Sequence, residues 1–230
     1  TYEWEIKNSD GLIGYPSFVP QKNYNQSVAQ ASYRIVTPAS NPCRYRTINM
    51  PIEVSQQQAA DGNWLTEVKV QALPALKKEP YSPSLSELLP RIYFTPRDFS
   101  FEGTQGSMES WQTYGKWQYQ LLTGRDQLPP ALKEELLKRT TNCNTAYEKI
   151  AAVYQYLAST TRYVSIQLGI GGLQPIAAAD VHRTGFGDCK GLSNYTRAML
   201  AELGIPSIYT VISTTNKRLL ADFASANQNN

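Results

Sequence analysis

Residues 185–203, GFGDCKGLSNYTRAMLAEL, decide how this chain is read. Two glycines, Gly185 and Gly187, bring the backbone into a tight approach. Asp188 and Cys189 follow, and then an apolar-periodic run reads as a helix from Cys189 to about Leu203, stopped by Gly204 and Pro206. A cysteine where a glycine loop enters a helix has a physical advantage. The unpaired N–H groups and the dipole at that end stabilise negative charge, which favours a thiolate, and they can also hold an oxyanion. Lys190 adds a positive charge beside it. The plainer alternative for Cys189 is a small residue packed at a helix start. Asp188 reads as the helix cap.

Upstream of this stretch the pattern is helical. Pro129 and Pro130 lead into a helix over residues 131–139. Asn144 or Thr145 caps a second over 146–159, with Ile150, Val153, Tyr154 and Leu157 at the spacing of a buried stripe. A glycine loop, Gly169-Ile170-Gly171-Gly172, lies between that helix and the Cys189 segment. No P-loop lysine follows it, so a nucleotide site is a poor reading. Downstream, residues 207–213 (SIYTVIS) read as a β-strand, and the tail from Ala224 is polar and Asn-rich.

Before residue 118 the chain reads as β. Residues 2–7, 31–36, 43–50 and 64–73 alternate or are rich in strand formers. Asp10-Gly11, Asn41-Pro42 and Asp61-Gly62-Asn63 supply turns between them. From 74 to 101 prolines recur, which places that stretch at a sheet edge or between domains, with 91–94 as its last strand. Trp111, Tyr114, Trp117 and Tyr119 fit one face of a helix as a packing cluster.

Composition narrows the function. The 230 residues suffice for two modest domains, and a net charge of +3 gives no case for nucleic acid or an acidic membrane surface. No apolar run approaches the ~20 residues of a membrane-spanning helix. The opening Thr1 reads as a processed or trimmed start. With three cysteines (Cys43, Cys143, Cys189), no C-x-x-C pair and a single histidine, neither a metal site nor any other cofactor is expected.

The segment Gly187-Asp188-Cys189-Lys190, with its helix running into Gly204-Ile205-Pro206, resembles the nucleophile signature of bacterial transglutaminase-like, papain-type cysteine proteins. The helix over 145–159, Tyr163-Val164-Ser165-Ile166, Gln174-Pro175 and Asp180-Val181 extend the likeness. Residues 73–83 (LPALKKEPYSP) and Trp111…Gly115-Lys116-Trp117 resemble the β-sandwich of unassigned function that often precedes such domains. One departure is Gly191, where the family commonly has Asp.

The resemblance implies an α+β fold. An N-terminal antiparallel β-sandwich (1–118) would precede the helical half of a papain-like, transglutaminase-like domain (119–230). It further implies a Cys-His-Asp triad with Cys189 as nucleophile, acting on a peptide or protein substrate, in a bacterial periplasmic or extracellular setting. Gln167 or Gln174 would support the oxyanion, as would Lys190. The family's His and Asp lie downstream of the cysteine. Here the only histidine, His182, precedes it in what reads as a loop and does not map to the base. Residues 223–230 resemble the run just before the catalytic His. The expectation is therefore a fragment that is inactive as written and open to self-association through the 207–213 strand. The alternative is a non-catalytic peptide- or glycan-binding module with a scaffold domain.

Overall fold

The structure, a computed structural model, describes residues 3, 5–7, 14–213 and 219–228. It is α+β, and it divides into two compact units: residues 1–114 together with 212–230, and residues 115–211. The first boundary falls between Tyr114 and Gly115, and the last part of the chain groups with the first unit. The alternating segment 2–7 and the Asp10-Gly11 turn lie largely outside the described residues.

The first unit is built of antiparallel strands. β1 (Val28–Thr37), β3 (Val54–Gln58) and β4 (Trp64–Leu73) form a sheet in the order β1-β4-β3; β2 (Arg44–Ile48) pairs with β5 (Arg91–Thr95) in a second sheet. Alternation explains the burial. Thr66, Val68 and Val70 of β4 point inward, and Val68 is 1% exposed. They meet Ile92 and Phe94 of β5, both fully buried, together with Phe18, Ile35, Cys43 and Ile52 in one core. Tyr33 stacks between Phe18 and Phe94, at ring distances of 5.8 and 5.2 Å.

The proline-rich stretch behaves differently from its edge reading. Pro90 and Pro96 bracket β5 rather than interrupt it, and Ile92 has a strand partner in β2 and a bridge to Phe18. A short helix, α1 (Leu85–Leu88), precedes it. After it comes a hairpin absent from the sequence reading: β6 (Asp98–Phe101) and β7 (Thr104–Ser107), joined by Glu102-Gly103 with both residues at positive φ. The polar tail is also largely buried. Phe223, Ala224, Ser225 and Gln228 are nearly inaccessible. The Trp111 indole donates to the Leu220 carbonyl at 2.8 Å, and Arg46 pairs with Asp222 at 2.9 Å.

Helix α2 (Trp111–Gln120) leads into the second unit, which is mostly helical: α3 (Pro130–Arg139), α4 (Ala146–Thr160), β8 (Arg162–Tyr163), a 3-10 turn at Gly169–Gly172, α5 (Ala178–Thr184), β9 (Phe186–Gly187) and α6 (Cys189–Glu202). Thr145 caps α4 with a full capping box, its hydroxyl accepting from Glu148 N while the Glu148 carboxylate reaches back. The core joins Leu132 and Leu136 of α3, Val153 and Tyr156 of α4, Val181 of α5, and Tyr195 and Met199 of α6.

Three expectations are corrected here. Ile150 and Tyr154 are exposed, because α4 buries the face through Val153 and Tyr156 instead. His182 sits on α5, not in a loop. Residues 207–213 are extended but are not a strand: among the described residues nothing forms a ladder with them, and a strand exists only by such pairing.

Candidate active site

Cys189 is the first residue of α6 and is exposed. What fixes it is the loop before it. α5 ends at Gly185, whose φ of 67° is the left-handed turn that ends many helices and would strain a side chain. The backbone then runs beside β8 in a short parallel pairing of Tyr163 with Gly187, closed by Val164 N donating to Gly187 O at 3.0 Å. A Cβ on Gly187 would stand 3.3 Å from the Leu192 side chain, so the loop packs closely on its own helix.

Asp188 caps α6. One carboxylate oxygen accepts from Gly191 N at 2.9 Å and the other takes the Lys190 ammonium. The Asp188 side chain is 1% exposed and that of Lys190 12%. This pairing gives Lys190 a role other than a free positive charge for the thiol: its ammonium neutralises the buried cap. Gly191 is buried too, and its Cβ position lies 3.5 Å from an Asp188 oxygen. An Asp there would set a second carboxylate against the first.

The two glutamines differ. Gln167 is exposed in the chain after β8. Gln174 is held: its side-chain oxygen accepts from Arg125 at 2.6 Å, and Arg125 also donates to the Pro175 carbonyl at 3.2 Å. The Arg125 carbonyl in turn accepts from Asn194 of α6 at 2.7 Å and from Ala178 N at 2.8 Å. Arg125 thus ties the glycine loop, α5 and α6 together, and nothing in its local sequence announced this.

His182 Nδ1 lies 3.2 Å from the Tyr195 hydroxyl. Tyr195 is six residues beyond Cys189, about 9 Å along the helix axis, so the imidazole is bonded beside the second turn of α6 rather than at its start. Tyr209 was also missed. Its phenol is half-buried, and the pKa is pushed up to about 12 by burial first and then by the negative charges of Cys189 and Asp188. Two shallow depressions of the surface belong to the first unit, one beside Phe99 and one beside Cys43, and neither is lined by Cys189. Among the described residues no cluster of His, Cys, Asp and Glu could hold a metal ion, and no helix is long and apolar enough to cross a membrane.

Comparison with known proteins finds a family similar to part of this chain. The model of the transglutaminase-like superfamily matches residues 133–222, a stretch that contains α4, α5, Cys189 and α6. The structure of a "putative protease" from Parabacteroides distasonis superposes with a TM-score of 0.63 at 16% identity. It covers 96% of this chain, and the chain spans 40% of that protein's length. At that identity the likeness speaks for the fold. A "putative cysteine protease" from Cytophaga hutchinsonii aligns over 83% of this chain and 59% of its own, at 16% identity and a TM-score of only 0.31. No curated protein matches the chain. With an exposed cysteine opening the helix that the family model spans, residues 133–222 are what this chain shares with the transglutaminase-like superfamily.

Proposed function

We propose that the chain carries the nucleophile of a cysteine acyl-transfer site. The Cys189 thiolate attacks the carbonyl carbon of a glutamine side-chain amide or a peptide bond. A thioester forms as the C–N bond breaks, and the amine leaves with a proton from an acid–base partner. Water then gives hydrolysis, or a second amine gives transamidation, and the thiol is released. One observation carries this reading: an exposed thiol at the first position of α6, held there by the buried Asp188 cap. In this reading the backbone N–H groups that open α6, ahead of the Gly191 N–H that Asp188 takes, stabilise the oxyanion.

The acid–base partner in this reading is a His oriented by an Asp, both outside residues 1–230, since His182 is engaged by Tyr195 and Asp188 by its cap and Lys190. The substrate is a peptide or protein met outside the bacterial cytoplasm. Gln174 and Gln167 are candidates to support the oxyanion, and Lys190 acts through Asp188. A second reading, a non-catalytic peptide- or glycan-binding module with the helical unit as scaffold, draws on the same engagement of the chain's single imidazole.

An activated ester such as p-nitrophenyl acetate separates the two, because it acylates a competent thiolate without help from a general acid. The first reading expects about one acetyl group per chain, mapped to Cys189, lost in Cys189→Ser and turning over only slowly. Acetylation of Cys189 no faster than that of Cys143 would leave the scaffold reading in its place.

A further inference from the structure

The guanidinium of Arg125 settles which way one glutamine faces. Arginine has donors and no acceptor, so the Gln174 atom that it holds at 2.6 Å is the amide oxygen, and the NH2 group is the end left over. Among the described residues nothing accepts from that nitrogen. The backbone beneath it is fixed as well. Gln174 N donates to the Ile170 carbonyl at 2.8 Å, Pro175 restricts the residue before it, and the other terminal nitrogen of Arg125 takes the Pro175 carbonyl at 3.2 Å. Two residues on, the same segment meets the start of α6. Ile176 Cβ lies 3.5 Å from the Cβ position of Gly191, which stands two residues past Cys189 and is bonded to the Asp188 cap. The Arg125 carbonyl meanwhile accepts from the fully buried Asn194 side chain of α6 and from Ala178 N at the head of α5. One residue therefore sets the place of Gln174 relative to the helix that carries the thiol.

We propose that Arg125 is a positioning residue of the cysteine site, acting through Gln174: it fixes the amide so that the NH2 group donates to the carbonyl oxygen of a substrate at Cys189. The proposal rests on the reading of Cys189 as nucleophile. It also separates the two glutamines, because Gln167 is exposed and among the described residues no arginine holds it. A loose glutamine loses side-chain freedom when it binds. One whose oxygen already accepts a charge-assisted bond has lost that freedom beforehand. Its donor then strengthens as the attacked oxygen gains charge, with no reorganisation at that moment.

The test compares two reactions of one thiol in the whole chain, read by peptide mapping. Acetylation by p-nitrophenyl acetate develops charge on a carbonyl oxygen, and alkylation by iodoacetamide develops none there. Their rate ratio at Cys189 therefore reports the donor, while a change in thiolate population or access moves both rates together. Gln174→Glu keeps an acceptor for Arg125 and has no NH2 group. Arg125→Met keeps the stem and removes both guanidinium bonds. Each is expected to lower the ratio by about tenfold, and the double variant by no more than either alone, because the two side chains act as a unit. Arg125→Lys keeps the charge but not the fork; it is expected to lower the ratio by about threefold, and it decides the matter if Arg125→Met does not fold. An unchanged ratio in Gln174→Glu, or in the folded Arg125 variants, overturns the inference, and a Cys189 that still reacts fast leaves the nucleophile reading standing. A Cys189 that reacts no faster than Cys143 with either reagent in the unaltered chain removes both.

Discussion

Two cysteines in two regions show what placement does to one side chain. Cys43, just before β2, is 3% exposed among Phe18, Ile35, Ile92 and Phe94, and burial pushes its thiol up to about 12. Cys189 opens α6 in the other unit and meets solvent beside a filled cap. The first is a small hydrophobe completing a β core. The second occupies the one end of a helix where backbone donors converge on a negative charge. A strand end in a core and a helix start at a surface are different electrostatic settings, whatever the side chain.

The largest effects come from breaking each region's core separately. Ile92→Ala in the first unit and Leu132→Ala in the second are each expected to cost about 3–4 kcal/mol, since both side chains are essentially inaccessible. Denaturant unfolding followed by peptide-resolved hydrogen exchange in β4 and in α4 reports whether each change lowers only its own unit.

Asp188→Ala is next. It removes a cap and leaves the Lys190 ammonium without its partner, for an expected loss of about 2–3 kcal/mol in the second unit. Asp188→Asn keeps an acceptor for Gly191 N, so it should recover about 1 kcal/mol of that in the same unfolding measurement.

A smaller effect follows from the alkaline side. Cys43, Tyr15 and Tyr33 of the first unit all have pKa values raised to about 12, each chiefly by burial. Below pH 9 folded and unfolded chains both hold these protons, and stability does not depend on them. Above it the unfolded thiol ionises first and the tyrosines follow from pH 10, while the folded groups stay protonated. Stability of the first unit therefore falls as pH rises from 9 toward 12. Cys43→Ala should flatten the part of that fall between pH 9 and 10, checked by urea midpoints across the range.

Much of the fold was legible, for local reasons. β4 coincides with its alternating run, and Thr145, one of the two cap candidates, does start α4. What was missed depends on partners. β3 carries three exposed glutamines and only one partly buried valine, so no alternation marks it. The β6–β7 turn puts Glu102 at positive φ, which its residue type does not signal. α5 is seven residues long and shares its core contacts through Ala178 and Val181 alone. Residues 207–213 have strand composition without a strand's ladder. At the site, Cys189 and its cap stood out because both lie in one short stretch. Arg125 and Tyr209 could not be found that way, because they reach the site from 64 residues before Cys189 and 20 after it, through tertiary packing.

The contrast between the two cysteines is tested most directly by competitive iodoacetamide labelling of the native chain at pH 7, with all three thiols quantified by peptide mapping. Cys189 is expected to label about tenfold faster than the partly exposed Cys143, with Cys43 unlabelled until the first unit unfolds. Cys189 labelling at the rate of Cys143 would contradict the account, for it would show an exposed thiol that its position at the start of α6 does nothing to activate.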